Sequence, residues 1–264
     1  MKKEVLAGIY ICSHDSDAIA KARVWNVRID RQPVLNNYSS NPNVVKTVNN
    51  DNFGCRVEVL NISDLNRLVI YESKTKVELA RWMPDGNKLL FSEGSANYIV
   101  LVTGGSPEKI NTSDLEKMTN LIKGTEMKRT LPTITSTKTE IVDGFEFSPD
   151  GKFIYYNTNV TGTMQVWRIN PDGSGKEQLT YDEYHNWFPH ISPDGSMMVF
   201  VSFPPDLDPD SHPTNKDLML PVLKLNAPGA PKVVAYLYGG EGTFSANPWS
   251  PDSKRIAFVS NSGK

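Results

Sequence analysis

The chain has 264 residues, 39% of them hydrophobic, with 28 Lys plus Arg against 30 Asp plus Glu, a formal net charge of −2 and a pI near 6.1. That length suits one all-β domain or two smaller domains and supplies ample apolar material for a core. The charge balance argues against a nucleic-acid partner, since no basic stripe that could follow a phosphate backbone appears in the sequence. No apolar run approaches the roughly 18 residues of a membrane span, and Cys12 and Cys55 permit one disulfide but not a disulfide scaffold.

Met1, Lys2 and Lys3 followed by EVLAGIYICSHDSDA have the basic start and short apolar segment of a secretory leader, but Glu4 interrupts its entry and Asp15 and Asp17 crowd its exit. Two locations therefore stay open, the cytoplasm, or export with the leader absent from this chain. Within the atypical segment 1–53, VLAGIYIC, ARVWNVRI and NVVKTV are strand candidates, separated by turn material at YSSNPN and VNNDN. From Gly54 the pattern sharpens. CRVEVLNIS, a turn at DLN, and RLVIYES read as the last two strands of a four-stranded unit, and VELARW, KLLFSE, NYIVLVTG and PEKI form a complete unit over 77–110.

The stretch 113–140 breaks the pattern. Ser113 and Glu116 have capping-box spacing, and Leu115, Met118, Leu121 and Ile122 recur on one helical face, so a helical excursion ending at Gly124 is expected, with a decayed sheet unit as the competing reading. Asp143 to Thr180 is then one full unit: DGFEF, a tight SPDG turn, KFIYYNT, TMQVWRIN, a PDGSG turn and EQLT. Pro149 presets its backbone angle, Asp150 bonds its own turn and Gly151 accepts positive φ. The unit near 187–235 carries an insertion, PPDLDPDSHPTNKD, whose prolines and acidic residues exclude a strand. FSANPWSPDSKRIAFVSNS supplies two final strands.

WMPDGNKLLF, ISPDGSMMVF and WSPDSKRIAF repeat the turn of SPDG and the strand after it, and the interval from Pro149 to Pro193 alone matches the roughly 40–50 residue period of a propeller blade. The expected fold is all-β, a single β-propeller domain over 1–264 built from four-stranded antiparallel blades. Six blades follow from mean spacing, although four repeats are visible. The two C-terminal strands are expected to pair with those of 55–73 and so close the ring of a monomer.

QVWRINPDGSGKEQLTYDEYHNWFPHISPDG, HPTNKDLML and AYLYGGEGTFSANPWSPDSKRIAFVSNS resemble the TolB-like, PD40 (WD40-like) repeat β-propeller family, in particular its Bacteroidetes-type members described as Tol biopolymer transport components. The resemblance covers about 55–112 and 141–264. It implies a six-bladed, exported protein, periplasmic or secreted. Related propellers serve as protein docking platforms, as non-catalytic domains of serine peptidases, or as oligogalacturonate lyases. The family places further repeats, with His-Gly-Ile/Trp-Ser-x-Asp-Gly starts, where this chain has only 113–140.

Candidate chemistry gathers where blade loops would converge. Tyr184, His185, Asn186, Trp187, Phe188, Pro189 and His190 form the densest group of binding-competent side chains, suited to stacking on a sugar or gripping a peptide. The competing reading makes Trp187 and Phe188 cement between blades, with His190 bonded to the backbone, since Phe145 and Trp249 stand at similar positions. Glu241 at the tip of YGGEGTF and Asp143 would make an acidic mouth, and Gly239, Gly240 and Gly242 read as sites of close backbone approach rather than a phosphate loop.

His185, His190 and His212, with Asp206, Asp208 and Asp210, are ligands of the right type for a divalent metal, but their spacing is not that of an EF-hand. No G-x-S-x-G occurs. The reading is therefore a non-catalytic propeller without a cofactor. It binds a protein or polysaccharide through Asp143, Phe145, Tyr184, His185, Trp187, Phe188, His190, His212, Glu241 and Trp249. The alternative is a polysaccharide lyase of the oligogalacturonate type or a glycan hydrolase, using Mn, Zn or Ca at His190 and His212.

Overall fold

The computed structural model describes residues 54–123, 141–227, 229–244 and 246–261. In chain order the elements are β1 (Cys55–Asn61), β2 (Arg67–Ser73), β3 (Val77–Trp82), β4 (Lys88–Glu93), β5 (Ala96–Leu101), β6 (Glu108–Ile110) and α1 (Thr112–Lys123). They continue as β7 (Val142–Phe147), β8 (Ile154–Thr158), β9 (Gln165–Ile169), β10 (Glu177–Gln178), β11 (His185–Ile191), β12 (Met197–Phe203), β13 (Lys216–Lys224), β14 (Lys232–Gly239) and β15 (Arg255–Asn261). The strands form antiparallel sheets in the orders β3-β4-β5-β6, β7-β8-β9-β10, β11-β12-β13-β14 and β15-β1-β2.

Each PD turn is a small hydrogen-bonded box. Ser148 Oγ donates to Asp150 Oδ1 at 2.7 Å and accepts the Phe153 N–H at 3.0 Å, while Gly151 takes φ 73°. Ser192 with Asp194 and Ser250 with Asp252 repeat the arrangement. In the fourth turn Met83 replaces the serine, and backbone bonds to Lys88 and from Gly86 carry the closure. Where the other turns have glycine, Ser253 takes φ 60°, and its Oγ accepts the Asp194 N–H of the neighbouring turn at 3.0 Å.

The sheets pack face to face in succession. Tyr155 and Val166 meet Ile191, Met198, Phe200 and Leu223. Val201, Phe203, Leu218 and Leu220 meet Leu60, Trp249, Ile256 and Phe258, and Val57, Val59, Ala257 and Val259 meet Trp82, Leu89, Phe91 and Val100. Helix α1 lays Leu115 and Met118 over Met83, Leu90 and Ile99 on the other face of β3–β6. Its cap is Asn111 rather than Ser113: Asn111 Oδ1 accepts the Asp114 N–H, and its Nδ2 donates to Asp114 Oδ2, both at 2.9 Å.

These findings correct the expected six-bladed closed propeller. Among the described residues there are four separate sheets, none closed on itself or joined to the next by strand pairing. The first part of 113–140, which would have to contribute a further repeat, is helix, because its apolar residues recur every three to four positions instead of alternating. The rest of that stretch and 1–53, named above as a source of extra strands, lie outside the described residues. The first and last described strands do meet: β1 pairs with β15 from Cys55–Asn261 to Asn61–Arg255. That pairing makes one three-stranded sheet, in which Trp249 contributes a single bridge to Ile256 in place of a fourth strand.

Cys55 is a free, buried thiol 3.3 Å from Asn261 Oδ1, and burial raises its pKa. Cys12 lies outside the described residues. No helix among those residues is long and apolar enough to cross a membrane.

Candidate functional site

The first strands of two adjacent sheets, β7 and β11, each carry a bulge just before their PD turn, between Asp143 and Glu146 and between Trp187 and His190. A bulge re-aims side chains that a regular strand would alternate. Gly144 and Phe188 occupy the same place relative to Ser148 and Ser192, and both are left-handed, with φ 67° and 55°. Buried Asn157 lies between them. Its Oδ1 accepts the Phe188 N–H at 3.2 Å and stands 2.3 Å from where a Cβ on Gly144 would be, so Gly144 admits no side chain.

Glu146 and His190 hold the same repeat position as Pro248 and Arg81, two residues before their turns, and the sheets are stitched together there. Trp82 Nε1 donates to Pro248 O at 2.7 Å, Trp249 Nε1 to His190 O at 3.0 Å, and the Ile191 N–H to Glu146 Oε1 at 2.7 Å. Glu146 Oε2 meets His190 Nδ1 at 2.6 Å, and Asn247 Nδ2 donates to Glu146 Oε1 at 2.8 Å. The His190 ring stands edge-on to Phe244, with centroids 5.6 Å apart.

The insertion after β12 is held at the His185 end of β11. Leu207 O faces His185 Nε2 at 3.0 Å, Asn159 Nδ2 donates to Asp210 Oδ1 at 2.6 Å, Pro213 O accepts the Glu241 N–H at 3.1 Å, and Asn261 Nδ2 donates to Thr214 O at 3.0 Å. Three sheets thus anchor one loop. His212, carried by it, packs against Trp187 and Phe188 with centroids 4.6 and 5.4 Å away, and its Nδ1 lies 3.8 Å from Glu241 Oε2. Neither that nitrogen nor Trp187 Nε1 has a hydrogen-bond partner. Gly240 is needed for this closure, since a Cβ there would fall 1.7 Å from Pro213 O.

The expected site residues divide into two groups. Phe188, His212 and Glu241 meet at the insertion, while His190 lies nearer the PD turn against Glu146 and Phe244, and Asp143 and Phe145 belong to the β7 bulge. Phe145 is 37% exposed and stacks on Tyr156 at 6.0 Å. Tyr184, His185, Trp187 and Trp249 are buried and hold the sheets together. His185 Nδ1 accepts the Met164 N–H at 3.4 Å, so its proton sits on Nε2 toward Leu207 O. Sequence reasoning missed Glu146, Asn157, Phe244 and Asn247. Glu146 alone had a usable signal, its repeat position opposite His190.

Among the described residues no group of three His, Cys, Asp or Glu side chains is placed to hold a metal ion. The partners of His190 and His212 are Glu146 and the aromatic rings, not each other's ligands. Asp208 serves its own loop by accepting the Asp210 N–H at 3.0 Å. None of the described histidines hydrogen-bonds a serine, threonine or cysteine side chain.

No family model matches the chain. An uncharacterized protein of Agrobacterium fabrum is 28% identical over 269 residues, covering 77% of this chain and 91% of that protein. A solved structure assigned as TolB from Agrobacterium tumefaciens superposes with a TM-score of 0.60 at 23% identity, over 80% of this chain and 99% of that one. TolB from Acinetobacter baumannii reaches a TM-score of 0.34 at 14% identity, over 80% of this chain and 65% of that one, too low to carry an argument. The chain therefore bears a distant structural resemblance to TolB-like proteins, a likeness of fold.

Proposed function

We propose that this chain is a non-catalytic binding protein that holds a protein partner where the β7 and β11 bulges, the insertion at 204–215 and the segment 239–247 meet. Phe188 is the observation that carries the reading. A bulky aromatic residue is kept left-handed where the repeat elsewhere uses Gly144. Such a backbone costs on the order of 1–3 kcal/mol and persists where surroundings over-determine it, commonly at binding sites. Its N–H is held by Asn157 and its ring by His212. The likeness to TolB supports a docking role over catalysis, and an extracytoplasmic location goes with that reading.

The test is capture of extracytoplasmic proteins, alongside a glycan array, comparing the wild-type chain with a Phe188→Gly, His190→Gln, Glu241→Gln triple variant. All three positions are at least partly exposed, so the variant should stay folded, and its melting curve verifies that. Loss of a specific captured protein is expected. Binding that survives the triple substitution removes this surface from consideration, and specific binding to glycans alone replaces the protein partner with a polysaccharide.

A further inference from the structure

Arg81 is the one arginine among the described residues whose side chain has no acceptor. Arg56 pairs with Glu72 at 2.6 Å, Arg67 with Glu58, Arg168 with Glu177 at 2.7 Å, and Arg255 donates to Gly86 O at 2.8 Å. Arg81 is half-buried, and its Nε is enclosed without a hydrogen-bond partner. Its two terminal nitrogens have none either, and since they are not among the enclosed partnerless atoms they reach the surface. Enclosed polar groups are nearly always hydrogen-bonded, so a guanidinium held at its stem and open at its tip calls for a physical reason.

The backbone places Arg81 as it places Glu146 and His190. β3 carries a bulge between Glu78 and Arg81, just as β7 does before Glu146 and β11 before His190. The bond from Trp82 Nε1 to Pro248 O fixes β3 beside the segment 247–249, so that Arg81 ends the row Glu146, His190, Pro248, Arg81. The carboxylates of β3, its turn, β4 and this row are engaged elsewhere. Glu78 pairs with Lys76 at 2.5 Å, and Asp85 Oδ1 accepts the Asn87 N–H at 2.9 Å. Glu93 accepts the hydroxyls of Thr75 at 2.6 Å and Tyr71 at 2.7 Å, while Glu146 is held by His190, the Ile191 N–H and Asn247. A guanidinium stays charged and offers a planar fork that matches the two oxygens of a carboxylate. A phosphate offers the same oxygens with more negative charge, which Asp85 in the next turn and Glu146 in the row disfavour.

We propose that Arg81 anchors a side-chain carboxylate of an acidic protein segment, its two terminal nitrogens donating to the two carboxylate oxygens. The inference rests on the reading that this chain holds a protein partner, and it adds a contact on β3, outside the surface around Phe188.

The test titrates a fluorescein-labelled Gly-Ser peptide bearing glutamates into the full chain by anisotropy, with a glutamine version in parallel and inorganic phosphate as competitor. The wild-type chain should prefer the glutamate peptide. Arg81→Met, which keeps an apolar stem and removes every N–H, should weaken that binding about tenfold or more and abolish the preference, as loss of a charge-assisted pair does. Because R81M also removes an enclosed unbonded N–H, it should melt no lower than the wild type, an outcome that a structural arginine would not give. Arg81→Lys keeps the charge without the fork and should weaken the glutamate peptide severalfold. Lys109→Gln removes one charge from the exposed outer strand of the same sheet and should change nothing. Equal weakening by K109Q, full binding in R81M, a clearly lower melting temperature in R81M, or tighter binding of phosphate than of the peptide would each overturn the proposal. If partner capture is lost in the triple variant while the wild-type chain does not distinguish the two peptides, the Arg81 anchor fails and the docking surface stands. If capture survives the triple substitution while R81M abolishes the preference, the docking surface falls and the anchor stands.

Discussion

Gly240 is the tightest point of contact between the insertion and the turn after β14. A Cβ there would overlap Pro213 O at 1.7 Å and Pro213 C at 2.7 Å, and the atoms in the way are backbone, which cannot rotate aside. Gly240→Ala should therefore lower stability by about 1–3 kcal/mol, the usual range for overpacking. It should also loosen the contact between Glu241 and His212, since the Glu241 N–H bond to Pro213 O would be broken. Urea denaturation checks this, with Gly229→Ala, which meets no atom within 4 Å, as the control expected to change little. Equal midpoints for the two variants would remove close approach as the reason for glycine.

At the scale of the element, the PD turns make stability depend on acid. The Ser148 hydroxyl, then the Lys152 N–H, hold Asp150 at about 2 against its usual 3.8. Burial pushes Asp194 and Asp252 upward, but their serine hydroxyls and turn N–H groups outweigh it and the net direction is down. A carboxyl depressed by folding contributes stability that is complete above its unfolded value and lost as pH falls through its folded value. The melting temperature should accordingly hold down to about pH 3.8 and fall between there and about pH 2. Ser148→Ala and Ser192→Ala together should lower the plateau and flatten that fall, read from thermal melts across the pH series. A fall of the same steepness in the double variant would show that other carboxylates carry the acid sensitivity.

At the scale of the whole molecule, the sheet that joins the first and last described strands is pinned by a buried ion pair. Arg67 binds Glu58 through Nε and, at 2.6 Å, through a terminal nitrogen, the Ser260 hydroxyl donates to the same carboxylate, and Arg67 also donates to Tyr236 O of β14 at 3.1 Å. Glu58 is 1% exposed, so removing its partner strands a buried charge. Arg67→Met should cost about 3–5 kcal/mol, and adding Glu58→Gln should restore part of the loss, because the stranded charge is the larger penalty. Chemical denaturation of the single and double variants distinguishes this from an ordinary packing defect, in which the double variant would be the less stable.

The strands, the PD turns and the start of the helical excursion were legible in the sequence because their causes are local: alternation, φ-restricting residues and side chains bonding a backbone group a few positions away. The meeting of β1 with β15 was legible too, since each end supplied only part of a sheet. The fold closure and the site were not. Glu146 meets Ile191 across 45 residues and Asn247 across 101, and Arg255 reaches Gly86 across 169. Such contacts depend on where each bulge shifts the register and how the insertion crosses three sheets, and a spacing pattern carries no information on either. The mean spacing that favoured six blades failed for the same reason, because dividing a length by a repeat period says nothing about which stretch becomes a helix. By itself the sequence determined the local pieces, an antiparallel β architecture punctuated by PD turns. Only the tertiary structure decided that they stand as four separate sheets, with His190 locked by Glu146 beside Phe188, because long-range hydrogen bonds and burial are settled by geometry between elements and not by the order of residues within them.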